Sequence, residues 1–173
     1  MLLRSIATKH VHSIPVTEAF LASDNFERIG AELEQVQVGE WAQSWDAAFL
    51  RWRLRRPDGG YVLHIAQNCI GVSVKSVGPL GIPCAVLLKV WPRKGASLPL
   101  HTGALIGATL RSHRALVCVY AGWNAHALVR GIRVPHRFQP SPLNVVLKVV
   151  DESRIDRDTF ELETWELLDM DAY

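Results

Sequence analysis

Two runs that are apolar on both faces, separated by a helical stretch, constrain the fold of this chain more than any other feature. Cys84 to Val90 reads Cys-Ala-Val-Leu-Leu-Lys-Val, and Ala115 to Tyr120 reads Ala-Leu-Val-Cys-Val-Tyr. A strand apolar on both faces is a strand covered on both faces. Between the two, Thr102 can cap a helix over residues 103 to 113. Strand, helix and strand in this order form a right-handed crossover, which makes the strands parallel. They are expected to be adjacent and to splay at their C-terminal ends.

Upstream, the pattern changes from helical to extended. Asp24 and Glu27 have capping-box spacing, and Phe26, Ile29, Leu33 and Val36 recur at intervals of three and four, which predicts an amphipathic helix over about residues 25 to 36. A second helix is expected within Ser44 to Pro57. Ser44 is suited to cap it, Asp46 falls in its first turn and the arginines gather in its last, each where the helix dipole favours that charge. Phe49, Trp52 and Arg56 share one stripe, and Arg51 and Arg55 another. Phe49 and Trp52 are therefore expected to be buried. The basic stripe reads either as a solvated face or as an anion site. After Asp58-Gly59-Gly60 the period becomes two. Tyr61, Leu63 and Ile65 alternate with Val62, His64 and Ala66, and Ile70, Val72 and Val74 with Gly71, Ser73 and Lys75, an antiparallel hairpin turning at Gln67 to Cys69.

Downstream, Pro92 to Ser97 reads as a loop, Asn124 can cap a short helix ending near Gly131, and Arg133 to Phe138 can pair with Asn144 to Val150 as a last hairpin. The expected architecture is α/β (α+β): a mixed sheet with a central parallel strand pair, flanked by antiparallel hairpins and with helices on both faces. A chain of 173 residues is the size of one domain, expected over 1–173. Cys69, Cys84 and Cys118 form no CxxC pair, which argues against a zinc site or a disulfide framework and for a reducing compartment. The first residues meet Arg4 before any signal-peptide core is built, and no apolar run approaches a membrane span; a cytoplasmic location is expected. A net charge of +2 is too small to argue for nucleic acid. Arginines crowd residues 51 to 56 and 130 to 137 and acids crowd 151 to 171, charges that can equally join the chain's own segments.

Several local patterns resemble one family. Asp46 followed by Phe49-Leu50-Arg51-Trp52-Arg53 precedes Pro57 and a strand-opening Tyr61. A strand ends in Gly122-Trp123-Asn124, with Gly131 beyond it, and Trp165 is followed by Asp169-Met170-Asp171-Ala172-Tyr173. In this order, with the element pattern above, they resemble the GNAT superfamily of acyl-CoA-dependent acyltransferases, and within it a bacterial branch associated with polysaccharide biosynthesis. Larger members of that branch look like two lobes in tandem, and this chain is similar to the second.

The resemblance implies transfer of an acyl group, acetyl foremost, from an acyl-CoA to an amine of a small-molecule or cell-envelope precursor. Where the family usually carries Gln/Arg-x-x-Gly-x-Gly/Ala to hold the pyrophosphate, this chain has Trp91 to Gly103. There Arg93, Lys94 and Gly95 supply charge and a flexible backbone, while Pro92 and Pro99 lack N–H donors. By that implication Lys89, Val90, Trp91, Arg93, Lys94, Gly95 and Asn124 bind the cofactor. A backbone N–H near Lys89 to Trp91 polarises the thioester carbonyl, and His101, Tyr120 or His126 handles protons. The missing signature leaves a second reading, a GNAT-like binding lobe without acyl transfer that partners another such lobe or a second copy of itself.

Plainer roles stand beside these. His64 reads as a hydrogen-bonded strand histidine or a general base, His113 as a capping or surface residue, and Cys118 as an inert core thiol. Asn124 reads as a helix cap or a ligand contact. Asp169 and Asp171 have no third ligand nearby in sequence, so no metal site is expected.

Overall fold

Every residue from Cys84 to Pro92 is buried, as a strand apolar on both faces requires. A computed structural model describes residues 10–35, 45–55, 59–77, 81–120 and 127–132. Along the chain they form β1 (His12–Pro15), α1 (Glu18–Leu21), α2 (Asp24–Glu34), α3 (Ala47–Leu54), β2 (Val62–Ile65), β3 (Cys69–Val77), β4 (Pro83–Pro92), β5 (Leu100–His101), α4 (Gly103–His113), β6 (Val117–Tyr120) and β7 (Ala127–Leu128). The main sheet has the order β1-β2-β3-β4-β6, and a second sheet pairs β5 with β7. β1 to β4 are antiparallel neighbours. β4 and β6 are parallel, in register from Cys84↔Val117 to Leu87↔Tyr120. The protein is thus an α/β mixed sheet with a parallel pair reached through α4, as expected.

The helices cover opposite faces. Phe26, Ile29 and Leu33 of α2 and Leu50 and Leu54 of α3 pack with Leu63, Ile70, Val72, Val86 and Leu88. On the other face Leu105 of α4 meets Ala66, Cys69, Leu87 and Val90. A β-bulge sets which side chains of β4 go where. Val72 faces Lys89 while Ser73 faces Leu87, so Leu88 is the extra residue. Odd-numbered Leu87 points to α4, but beyond the bulge odd-numbered Trp91 joins the α2–α3 core and even-numbered Val90 the α4 core. A continuous apolar run conceals such a change of parity.

Capping explains the helix starts. Ser23, not Asp24, caps α2, its Oγ accepting from the Phe26 N–H at 3.3 Å. Asp46, not Ser44, caps α3, its Oδ1 accepting from the Phe49 N–H at 2.6 Å; Ser44 lies outside the described residues. The face that α3 buries also differs from expectation. Gly30 lets the backbone of α2 approach Ala47, so the stripe Ala47, Leu50, Leu54 turns inward. Trp52 is left 66% exposed and Phe49 is half-buried. Trp52→Ala is accordingly expected to change stability by well under about 1 kcal/mol in urea denaturation, where a buried tryptophan would cost about 3 to 5. The basic stripe is engaged within the chain: Arg51 pairs with Glu27 and donates to the Leu21 carbonyl, and Arg55 meets Glu18 at 3.4 Å.

Other expectations are corrected. β1 and α1 precede α2 where the pattern offered only helices. β6 is partly exposed rather than covered on both faces, with Leu116 and Val117 open to solvent. No helix occupies the described residues near Gly131; Ala127–Leu128 instead runs parallel to Leu100–His101. Thr102 makes no side-chain cap at α4, because its Oγ1 donates to the Leu128 carbonyl at 3.1 Å. The final hairpin, Asn124, His126, Asp169 and Asp171 lie outside the described residues.

Candidate functional site

Among the described residues β4 and β6 are paired as far as Leu87↔Tyr120, and β4 follows β3 to Cys69↔Pro92. The Arg93 N–H then donates to the Asn68 carbonyl at 3.0 Å, and Ala96 N–H to the Arg93 carbonyl at 2.9 Å. Gly95, at φ +75°, supplies the left-handed residue of that turn.

The predicted cofactor residues divide among three surroundings. Lys89 is fully buried, its ammonium 5.8 Å from the Trp45 ring, and Trp91 meets the same ring edge-on with centroids 4.9 Å apart. Val90 lies in the opposite core, against which Tyr120 packs. Arg93 and Lys94 turn toward α2. The Arg93 guanidinium holds Glu32 with two bonds, Nε to Oε1 at 2.8 Å and Nη2 to Oε2 at 3.0 Å, and Lys94 Nζ donates to Gln35 Oε1 at 3.1 Å. The Arg93 hydrogen bond holds the Glu32 carboxyl below its ordinary range despite partial burial, and Glu32 raises Arg93 in turn. His101 is exposed on β5.

Around this clamp lies a groove of about 610 Å³. Its walls are Arg28, Glu32 and Gln35 of α2, Gln67 of the hairpin turn, and Arg93 with Lys94. The sequence reading missed the α2 contribution. The signal was present, because Arg28, Glu32 and Gln35 stand at i, i+4 and i+7, a polar stripe on a helix whose other stripe is core.

A second polar cluster lies under α4. Ser13 Oγ is 2.8 Å from His64 Nδ1, His64 Nε2 is 2.7 Å from Ser73 Oγ, and Ser73 Oγ is 2.8 Å from His113 Nε2. His64, Ser73 and His113 are all buried, which corrects the surface reading of His113. Burial, then the positive charges of His113 and Arg111, pushes His64 down to about 4. Burial, with Lys75 nearby, lowers His113 as well. Shut away from solvent and hydrogen-bonded on both ring nitrogens, His64 is a structural histidine and not a base open to substrate. Burial also pushes Cys69 and Cys118 up to about 11, which makes both thiols poor nucleophiles.

For the phosphates of an acyl-CoA, the donor set at the end of β4 offers charge and a glycine turn. It offers few backbone donors, since Pro92 and Pro99 have none and Arg93 is already held by Glu32. The set therefore fits an anionic group by charge rather than as a ring of N–H groups. Among the described residues no helix is long and apolar enough to cross a membrane.

No family model matches the chain, and no curated protein matches it. Among solved structures, it is similar to an aminoglycoside acetyltransferase from an uncultured soil metagenomic sample, crystallised in complex with sisomicin. The likeness covers 80% of this chain and 93% of that one, at 10% identity and a TM-score of 0.36.

Proposed function

We propose that the chain is a single-domain, cytoplasmic GNAT-like acyltransferase that moves an acyl group, acetyl foremost, from an acyl-CoA to an amine of a small-molecule or cell-envelope precursor. The parallel β4–β6 pair reached through α4 carries this reading: a cofactor would lie where two such strands part at their C-terminal ends, beyond Leu87↔Tyr120. Arg93, Lys94 and Gly95 would meet the cofactor phosphates, and the backbone of Lys89, Val90 and Trp91 would lie beside its acyl arm, with Asn124, outside the described residues, as a further contact. The cofactor supplies an activated thioester. A backbone N–H between Lys89 and Trp91 would polarise the thioester carbonyl, and His101, Tyr120 or His126 would take the proton from the attacking amine and return one to the departing thiolate.

A second reading, a binding lobe without acyl transfer that partners another GNAT-like lobe or its own copy, is favoured by two bonds. The Glu32 clamp occupies Arg93, and the Thr102 hydroxyl ahead of α4 is committed to Leu128. Titration calorimetry with acetyl-CoA separates the readings. Acyl transfer predicts a dissociation constant of tens to hundreds of micromolar, about 5 to 6 kcal/mol of binding. Arg93→Ala with Lys94→Ala should weaken it and reduce its salt dependence. Absence of binding at millimolar acetyl-CoA would leave the lobe reading in its place.

A further inference from the structure

Resting on the acyl-transfer reading, we propose that the groove between α2 and the end of β4 is the acceptor subsite and that it takes an amine bearing a phosphoryl group, not a polycation. The groove has no wall from α4, β5, β6 or β7. It therefore lies on the α2 face, at the end of β4, and it shares Arg93 and Lys94 with the residues assigned above to the cofactor. Transfer needs the two reactants side by side, and a common edge at Arg93 and Lys94 would set the acceptor next to the cofactor.

Charge selects the ligand. Among the described residues of the lining, Arg28, Arg93 and Lys94 contribute three positive charges and Glu32 one negative, an excess of two. The C-terminal carbonyls of α2 remove only about half a charge. Glu32 is the one acid among the described residues of the lining, and its charge is already matched by the two bonds to Arg93. A phosphate monoester, at about −1.5 to −2 near neutral pH, matches the excess. Gln35 and Gln67 add amide donors and acceptors for hydroxyls on the same molecule. Arg28 stands on the outer turn of α2, where its guanidinium contacts only Asn25 among the described residues' hydrogen bonds, and can swing to an incoming anion.

The probe is O-phosphoethanolamine, with ethanolamine and spermidine as controls, titrated calorimetrically at low salt. The phosphorylated amine is expected to bind at least about ten-fold tighter than ethanolamine, with spermidine weaker still. Arg28→Glu, and separately Ala31→Trp, which fills the groove from an exposed position of α2, should each weaken it by about ten-fold or more. Both should leave acetyl-CoA binding and the melting temperature unchanged. Spermidine binding as tightly as the phosphate compound, or Arg28→Glu without effect, would overturn the assignment. So would displacement of the phosphate compound by acetyl-CoA, because the anion site would then belong to the cofactor. Binding of the phosphate compound without any binding of acetyl-CoA would remove the acyl-transfer reading and leave the anionic ligand standing.

Discussion

Alanine at position 30 is expected to destabilise the protein by about 2 to 3 kcal/mol. In an isolated helix the same change would add about 1 kcal/mol of stability, because glycine is a poor helix former. Here the new methyl would stand 2.6 Å from the Ala47 Cα and 2.8 Å from its nitrogen. Those are backbone atoms of α3, so no side-chain rotation relieves the overlap and the two helices must part. Overpacking of this kind costs typically 1 to 3 kcal/mol and occasionally more, and separation of α2 from α3 would loosen Leu33, Leu50 and Leu54 together. The melting temperature should fall by roughly 5 to 10 °C for a chain of this size. Ala47→Gly in the same background should restore only part of the loss, since the Cα and nitrogen contacts remain. An unchanged melting temperature for Gly30→Ala would mean that the approach of α2 to α3 is not tight in solution.

The second large effect is a loss of stability in mild acid. An unfolded chain takes up a proton on His64 near 6.5, whereas the folded chain refuses it until about 4. Between those values the unfolded state binds more protons, so stability is complete above about pH 6.5 and declines as the pH falls toward 4. A displacement of this size corresponds to roughly 3 kcal/mol, and the lowered His113 acts in the same direction. Hydrogen-bond bookkeeping agrees. Ser73 has one proton for two imidazole neighbours, so the chain of four side chains is satisfied with both rings neutral or one charged. With both charged, two N–H groups face the same oxygen and the serine proton has no acceptor among them. Urea denaturation at pH 7 and at pH 4.6 should show the decline. Glu32 does not confuse it, because a carboxyl lowered by Arg93 loses its contribution only as pH falls below its ordinary 4.5. His64→Gln, which cannot titrate, should begin less stable and decline less over that interval. A wild-type stability that is flat from pH 7 to 4.6 would contradict the buried relay.

Much of the sheet was legible because local pattern and tertiary position agree. Period-two alternation located β2 and β3, and the two-faced runs located β4, β6 and their parallel pairing. What was not legible depends on partners distant in sequence. β1 has four residues ending in a proline, too short a run to show a period. Trp52 faces solvent because Gly30 fixes the rotation of α3, and nothing inside α3 encodes that. Ala127–Leu128 is extended because Leu100–His101 lies beside it. At the candidate site the cations Arg93 and Lys94 were visible as cations, but their engagement with Glu32 and Gln35 spans 61 and 59 residues. The groove wall was not legible because a polar stripe on α2 reads as a solvated face until Arg93 and Lys94 are placed beside it.

The parallel pairing of β5 with β7 bears on the order in which the chain assembles. Leu100↔Ala127 and Cys84↔Val117 are both parallel contacts, and both enclose α4. Parallel pairings are slow to form because a long loop must close before any contact rewards it. Here one docking of α4 onto β4 brings the ends of both loops near their partners, so the second closure follows the first at little further entropic cost. The β2–β3–β4 meander, whose contacts are local, can form beforehand as the template. Helix α4 is thus the element on which both parallel connections depend.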